Sequence, residues 1–194
     1  MKKLLYILLS SSLPFVSSCE KNESNQNQDD GGNLNIEIGT IYQGGFVFYL
    51  DETGEHGLVA AMEDLPGTYV WGCYSEYVEG ADGTSIGTGL QNTLDIVSEC
   101  SETPISANEA LAYESEGYSD WYLPSVDELI EMYNTLANSG SQGNIGGFEI
   151  SVSSYYWSSS EVSSIHAWNV YFNNGNSSFN YKAVSNRVRV IRAF

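Results

Sequence analysis

Basic residues are scarce in this chain and lie almost entirely near its two ends. Between Lys21 and Lys182 there is no other lysine or arginine, but there are 24 aspartates and glutamates. The formal net charge is -18. Because phosphate groups are bound by clustered lysine and arginine, this charge argues against DNA, RNA and anionic membrane surfaces as partners. The acidic interval is expected to form a solvated surface.

Cysteine and histidine are also rare. There are three cysteines and two histidines, with no C-x-x-C motif and no ligand-like spacing of His56 and His166, so no metal ligand and no cofactor is assigned. Calcium binding through loop carboxylates stays open. If Cys19 is lipidated, Cys73 and Cys100 form an even pair and are expected to make a disulfide in an oxidising compartment. Such a bridge would contribute about 3 to 4 kcal/mol to the free energy of unfolding.

A hydrophobic run long enough to cross a membrane is missing. The apolar stretch Leu4 to Val16 has 13 residues, whereas a spanning helix takes about 20. With Lys2-Lys3 before it and small residues leading to Cys19, it resembles the export signal and lipobox of bacterial lipoproteins. That resemblance implies a signal peptide over residues 1–18, acylation of Cys19, and anchoring in the outer membrane through lipid. An ordinary secretory signal with a chance cysteine is the alternative.

The segment after Cys19 is polar and almost free of hydrophobic residues up to Asn35. Such a composition buries too little apolar surface to offset the entropy of ordering, which predicts a flexible tether over residues 19–38. Residues 39–194 are then one domain of ordinary size, able to bury a hydrophobic core.

Hydrophobic patterning and turn residues predict an α+β domain with two helices and a mostly antiparallel sheet. Capping boxes start the helices at Ser106, with Glu109, and at Ser125, with Glu128, and the helices are expected to end near Glu116 and Asn138. Glycine-rich residues 80–92 are predicted to be a loop. Strands are expected at Gly45–Leu50, Gly57–Met62, Tyr155–Ser159, Ala167–Asn173, Asn176–Ala183 and Arg187–Arg192.

The sequence also predicts one turn and one buried face in the last strands. Asn174-Gly175 is a strong signal for a two-residue type I′ hairpin turn. The alternation in Arg187–Arg192 places Val188 and Val190 inward and the arginines outward.

Several motifs occur in an order that resembles the Lcl-type C-terminal domain family. They are Asp120-Trp121-Tyr122-Leu123-Pro124-Ser125 with Glu128-Leu129, then Tyr156-Trp157-Ser158-Ser159, Ala167-Trp168 and a terminal Val-Arg-x-x-Arg. The family is similar to C-type-lectin-like and formylglycine-generating-enzyme folds, so the resemblance implies a C-type-lectin-like fold whose variable loops converge on one face. Trp121, Leu123, Pro124, Ser125, Glu128, Trp157 and Trp168 are interpreted as framework.

The C-terminal tract has the composition of a binding surface. From Ser153 to Asn186, 21 of 34 residues are Ser, Tyr, Asn or Gly. Antibody loops favour the same types, because Tyr gives contact area at low entropic cost and the others give adaptable hydrogen bonds. Only Glu161, His166 and Lys182 could titrate, which favours binding over catalysis.

The same tract resembles the variable region of proteins diversified by retroelements, in which Asn codons are replaced by other codons ending in C. The resemblance implies a ligand-binding face at positions that depart from Asn. These are Ser163, Ser164, Ile165, His166, Tyr171, Ser177, Ser178, Phe179, Tyr181, Ala183 and Val184. Glu161, Trp168 and Lys182 would be scaffold. The alternative is that Asn, Ser and Tyr only decorate exposed strands and turns.

The sequence therefore predicts a surface-displayed, ligand-binding lipoprotein, an adhesin or recognition protein, for a protein or glycan on another cell or surface. One alternative is a non-catalytic envelope scaffold or assembly subunit. Another is an enzyme related to the formylglycine-generating group. We disfavour the enzyme, because those enzymes carry paired active-site cysteines in their C-terminal region, whereas Cys73 and Cys100 lie upstream. No catalytic residue is assigned.

Overall fold

The computed structural model describes residues 36–138 and 140–194. The predicted signal segment, Cys19 and the tether up to Asn35 lie outside the described residues. In chain order the elements are β1 (Ile41–Tyr42), β2 (Gly45–Leu50), β3 (Gly57–Ala61), β4 (Tyr69–Val70), α1 (Gly89–Glu99), α2 (Ser106–Leu111), α3 (Val126–Met132), β5 (Tyr155–Ser163), β6 (His166–Tyr171), β7 (Asn176–Tyr181), β8 (Ser185–Asn186) and β9 (Ile191–Ala193). In this part of the chain no helix is both apolar enough and long enough to span a bilayer.

The strands form antiparallel sheets, as predicted, but they are three sheets rather than one. A four-stranded sheet has the order β1-β2-β3-β9, β4 pairs with β8, and a three-stranded sheet has the order β5-β6-β7. Strand β3 is buried on both faces because it lies between two hydrophobic clusters. Val59 packs in the cluster that contains Trp71, Trp121 and Trp157, and Leu58 packs in the cluster beneath α3.

The prediction of two helices is wrong, because α1 occupies part of the segment predicted as a loop and extends beyond it. The buried face of α1 is mostly polar or small, whereas Leu90 and Leu94 are exposed, so apolar residues do not mark the side that packs against the domain. Thr93 Oγ1 donates to the carbonyl oxygens of Gly89 and Leu123, and Asn92 Nδ2 donates to that of Gly83 at 2.6 Å. These hydrogen bonds satisfy polar groups that burial would otherwise penalise.

The capping box predicted at Ser106 is also wrong. The cap residue of α2 is Ile105, Ser106 is the first residue of the helix, and the buried Ser106 hydroxyl has no hydrogen-bond partner among the described residues. This helix ends at Leu111 rather than near Glu116.

The second capping box is confirmed. Ser125 Oγ accepts a hydrogen bond from Glu128 N, and the Glu128 carboxylate accepts one from Ser125 N at 2.7 Å. The same carboxylate accepts from Gly87 N at 2.8 Å, so it joins the start of α3 to the segment that precedes α1. Burial raises the pKa of Glu128, while these hydrogen bonds oppose the rise. Helix α3 continues into a π-helical turn, Tyr133–Ala137, close to the predicted end.

Six of the seven framework residues are buried: Trp121, Leu123, Pro124, Ser125, Glu128 and Trp157. The side chains of Trp121 and Trp157 are fully buried in one hydrophobic cluster. Pro124 contributes through its carbonyl oxygen, which accepts hydrogen bonds from the backbone and the hydroxyl of Ser159. The interpretation of these six residues as structural therefore fits their positions.

The C-terminal arginines do not all face outward, so that prediction is wrong for two of them. Val188 and Val190 are fully buried as expected, but Arg189 is only 1% exposed and Arg192 only 7%. Arg189 Nε donates to Asp64 at 2.7 Å. A buried guanidinium is tolerated when carboxylates and carbonyl oxygens take its donors. Alternation in sequence identifies the apolar face but does not reveal such partners elsewhere in the chain.

The predicted disulfide between Cys73 and Cys100 is present. It connects the loop after β4 to the C-terminal end of α1. Both cysteines are buried in the cluster that contains Trp71.

Candidate functional site: an aromatic strip on the C-terminal sheet

Five aromatic rings form a continuous row along one face of the β6–β7 hairpin, and we call this row the aromatic strip. His166 pairs with Tyr181 and Trp168 pairs with Phe179, so alternate residues of both strands share this face. Ring centroids are 6.4 Å apart for Tyr74 and Tyr181 and 4.7 Å for Tyr181 and His166. They are 5.2 Å apart for His166 and Phe179 and 6.1 Å for Phe179 and Trp168.

The strip leaves large apolar side chains in contact with solvent. Phe179 is 53% exposed, Tyr181 50% and Tyr74 44%. Full burial of one such side chain is worth about 1.5 to 3 kcal/mol, so the folded chain forgoes part of that stabilisation here. Contiguous exposed apolar surface of this kind marks interaction sites more often than single exposed residues do.

A buried ion pair fixes the end of β7 beside the strip. The side chains of Lys182 and Glu161 are fully buried and form an ion pair, and Lys182 Nζ also donates to Glu76 O at 2.8 Å. The ammonium lies 4.5 Å from the centre of the Trp71 ring. The Glu161 carboxylate accepts a further hydrogen bond from Val78 N at 3.1 Å. Both residues were predicted to be scaffold, and their burial fits that role.

Burial and pairing act in opposite directions on the two titrating groups of this ion pair. Burial raises the pKa of Glu161, and the hydrogen bond from Lys182 opposes the rise. Burial lowers the pKa of Lys182, and the hydrogen bond to Glu161 opposes that change. The ion pair therefore fixes the end of β7 without placing either charged group at the protein surface.

The structure separates the eleven predicted binding positions into groups. His166, Ser177, Phe179 and Tyr181 share the face of the aromatic strip. Tyr171 and Ser178 belong to the alternating set on the opposite face, and Tyr171 stacks on Tyr155 at 4.6 Å. Of the remaining positions, Ser163 is the last residue of β5, Ser164 and Ile165 form the β5–β6 turn, and Ala183 and Val184 follow β7.

The β5–β6 connection is ordered by hydrogen bonds to one serine. Ser163 Oγ accepts from the backbone nitrogen of His166 at 3.2 Å, and Ile165 is half-buried beside it. The carbonyl oxygen of Ser164 accepts from Ser75 N at 2.9 Å, which holds the loop bearing Tyr74 against this turn. These three positions therefore extend the strip at its Tyr74 end.

The turn between β6 and β7 differs from the prediction. Tyr171 pairs with Asn176, so the loop covers residues 172–175 rather than two residues. A type I′ turn needs positive φ at both central residues, and of this pair only Gly175 has it. Asn174 Oδ1 instead accepts from Asn176 N at 3.0 Å. The predicted hairpin is confirmed, and the prediction of a two-residue type I′ turn is wrong.

Two members of the strip, Trp168 and Tyr74, were not among the predicted binding positions. Trp168 was interpreted as framework, but it is only half-buried and lies on the strip. Tyr74 was not considered, because it comes from a loop about ninety residues upstream of β6. Its position next to Cys73 was the one available signal, since the disulfide holds that loop in place.

At the Trp168 end the strip opens into a small pocket of about 230 Å³. Its lining combines apolar groups from α3 with one carboxylate: Thr84, Val126, Asp127, Ile130, Trp168 and Ser177. Asp127 is exposed at the first turn of α3. Over residues 36–138 and 140–194 no cluster of three or more histidine, cysteine, aspartate or glutamate side chains has the arrangement of a metal site.

No curated protein matches this sequence at a significant level. Among solved structures, the fold is similar to that of a fimbrial protein from Bacteroides ovatus ATCC 8483, with 15% sequence identity and a TM-score of 0.49. The alignment covers 70% of this chain and 35% of that chain, so this chain spans about a third of that protein.

The family comparison agrees with the motifs. The model of the Lcl C-terminal domain matches residues 61–192, which is more than half of the 194-residue chain and includes the motif around Trp121, the motif around Trp157, β6 and β7. This chain belongs to the Lcl C-terminal domain family.

Proposed function

We propose that this protein is a non-enzymatic recognition domain that binds a macromolecular ligand through the aromatic strip. The observation that carries the proposal is the continuous row of half-exposed rings from Tyr74 to Trp168. It lies on a sheet whose neighbouring strand end is fixed by the Glu161–Lys182 pair. Rigid aromatic groups on a stiff support bind with little loss of side-chain entropy.

The setting that we propose is the bacterial cell surface, with the protein held in the outer membrane by lipid on Cys19. The lipobox-like sequence before Cys19 supports the anchor, and the polar segment up to Asn35 supports a tether that keeps the domain clear of the membrane. We further propose a C-type-lectin-like fold. Membership of the Lcl C-terminal domain family supports it, together with the pairing of the C-terminal β9 with β3.

The absence of catalysis belongs to the proposal. An enzyme of the formylglycine-generating type would require reactive thiols. Cys73 and Cys100 are bonded to each other and are 3% and 6% exposed. A buried disulfide offers no thiolate for such chemistry, which supports a binding role.

Diversification of the strip also belongs to the proposal. Phe179, Tyr181 and Ser177 are exposed positions that depart from Asn, whereas Glu161 and Lys182, with codons that such a process does not reach, are buried. This division supports a constant scaffold with a variable face. The test is to examine the flanking DNA for a near-copy of the tail-coding segment beside a reverse transcriptase. Mismatches confined to template adenines would support diversification, and the absence of any repeat would oppose it.

The binding proposal is tested by probing glycan and protein arrays with the purified chain. The double variant Phe179→Ser with Tyr181→Ser removes two exposed rings from the strip. Tyr171→Ser is the matched control, because Tyr171 is an aromatic residue of the same sheet on the opposite face. We expect the double variant to lose the ligands that the control retains. Ligands retained equally by both variants would contradict the proposal and favour the envelope scaffold.

A further inference from the structure

Strand β7 is an open sheet edge beside the aromatic strip. Among the described residues it pairs with β6 alone. Its sequence, Asn176 to Tyr181, contains no charged residue and no proline. Proteins usually protect edge strands with charges, prolines or bulges, because a bare edge accepts further strands. This edge has none of these devices.

The hydrogen-bond pattern identifies which backbone groups of β7 face outward. Lys182 N donates to Ile165 O, and hydrogen-bonded pairs alternate along an antiparallel ladder of unbroken register. The residues that bond to β6 are therefore Asn180 and Ser178, and the backbone groups of Ser177, Phe179 and Tyr181 point away from β6.

Two of these three residues leave the edge open. Tyr181 is already occupied, because its N–H donates to Asn180 Oδ1 and its carbonyl oxygen accepts from Val184 N. The N–H and C=O groups of Ser177 and Phe179 make no hydrogen bond to another element within residues 36–138 and 140–194. The two N–H and two C=O groups of these residues can therefore form hydrogen bonds with one added strand.

Around Phe179 the ring geometry of the strip favours a polypeptide over a sugar, although His166 and Tyr181 are tilted by only 30°. Trp168 and Phe179 are nearly perpendicular, at 88°, and His166 and Phe179 meet at 67°. A sugar stacks on a flat aromatic face, whereas rings set edge to face form crevices that accept separate side chains. A strand added to β7 would direct every second side chain toward those crevices.

The pocket beside Trp168 indicates which side chain fits there. Ser177 is small, so a long side chain from a strand about 5 Å beyond β7 can pass over it. The lining of the pocket includes the apolar residues Ile130 and Trp168 and the exposed Asp127. Lysine and arginine combine an apolar stem with a cationic head, and the net charge of -18 attracts cations.

We propose that the ligand is an extended peptide segment that adds as a strand to β7 at Ser177 and Phe179 and places a lysine or arginine in the pocket at Asp127. This inference rests on the proposed recognition function and names its partner class. Main-chain hydrogen bonds supply part of the affinity, and alternate side chains supply the specificity.

The test uses a displayed library of random decapeptides, selected on the purified full chain. We expect the selected peptides to carry lysine or arginine at one position with β-branched or aromatic residues two places away. Ser177→Pro removes one outward N–H without breaking a bond to β6, since proline is tolerated at edge positions whose N–H faces solvent. We expect this variant to bind the selected peptides about tenfold more weakly than the wild-type chain does. Ser177→Thr, which keeps the N–H, should bind normally.

A second variant isolates the charge. Asp127→Asn should weaken the binding of peptides that carry a basic residue. It should leave unchanged the binding of peptides in which that residue is replaced by glutamine. If the selected peptides bind the Ser177→Pro chain as well as the wild-type chain, or carry no basic residue, the strand proposal is wrong. If the library yields nothing while an arrayed glycan depends on Phe179 but not on Ser177→Pro, recognition by the strip stands and the peptide inference fails. If neither the peptide library nor the arrays yield a ligand that depends on the strip, both the recognition proposal and the peptide inference are wrong.

Discussion

Replacing Lys182 with methionine tests whether the buried ion pair holds β7 in place. The substitution removes the ammonium that pairs with Glu161, donates to Glu76 O and lies over the Trp71 ring. Of the Glu161 hydrogen bonds described above, only that from Val78 N would stay. A fully buried carboxylate would then face one backbone donor and no cation.

The magnitude follows from the burial of both partners. Removing one member of a buried ion pair destabilises a protein by about 3 to 5 kcal/mol, because the other charge is left uncompensated. The total free energy of unfolding of a domain is about 5 to 15 kcal/mol. The Lys182→Met chain should therefore fold but lose a large part of its stability. Adding Glu161→Gln should restore most of the loss, since a neutral replacement of both partners is often close to neutral.

Urea unfolding followed by the fluorescence of the four tryptophans measures these changes. The pH dependence supplies a second readout. Without Lys182, burial raises the pKa of Glu161 with less opposition. A carboxyl whose folded pKa lies above its unfolded value stabilises the fold at low pH, and that stabilisation is lost as pH rises through the folded pKa.

The loss of stability caused by Lys182→Met should therefore be largest at neutral pH and should decrease as pH falls and Glu161 takes up a proton. The double variant Lys182→Met with Glu161→Gln is the matched control for pH, because neither a carboxyl nor an ammonium group titrates at this site. A Lys182→Met chain as stable as wild type at neutral pH would refute the reasoning. So would a double variant whose destabilisation equals the sum of the two single losses.

Three further predictions address other parts of the fold. Ser125→Ala should lower the free energy of unfolding by about 1 kcal/mol or more, because it removes the N-cap of α3, and urea unfolding against Ser125→Thr checks this. Replacing Cys73 and Cys100 together with serine should lower the free energy of unfolding by about 3 to 4 kcal/mol, and loss of a measurable turnover in a still-folded chain would contradict the non-enzymatic proposal. The Arg192 guanidinium holds the pKa of Asp120 below its ordinary value of 3.8. Wild type should therefore be more stable than Asp120→Asn above that pH, and the difference should disappear as pH falls through the lowered pKa. An equal difference between wild type and Asp120→Asn at all pH values would argue against that ion pair.

Local patterns in the sequence determined the elements whose signals lie close together in the chain. The capping box at Ser125 and Glu128 needs only three residues of separation, and it forms as predicted. The hairpin strands β6 and β7 follow from alternation around Asn174-Gly175. Family motifs around Trp121 and Trp157 identified a buried framework, and these two side chains contribute large buried areas to it.

The failures arise where distant residues supply the partner. Helix α1 buries Asn92 and Thr93, whose hydrogen-bond partners include Gly83 and Leu123, so its buried face is not the one that apolar residues mark. Arg189 lies inside because Asp64, which is 125 residues away in sequence, receives its hydrogen bond. Periodicity reports the polarity of a side chain but not the partner that makes its burial favourable.

The binding surface combines both kinds of information. Composition alone marked the tract around Phe179 and Tyr181 as suited to recognition. Only the tertiary structure placed Trp168 and Tyr74 beside them and turned Tyr171 to the other side of the sheet. The period of a strand separates neighbours in sequence onto opposite faces, while disulfide and sheet contacts bring remote loops together, so the shape of the site depends on the fold rather than on the tract.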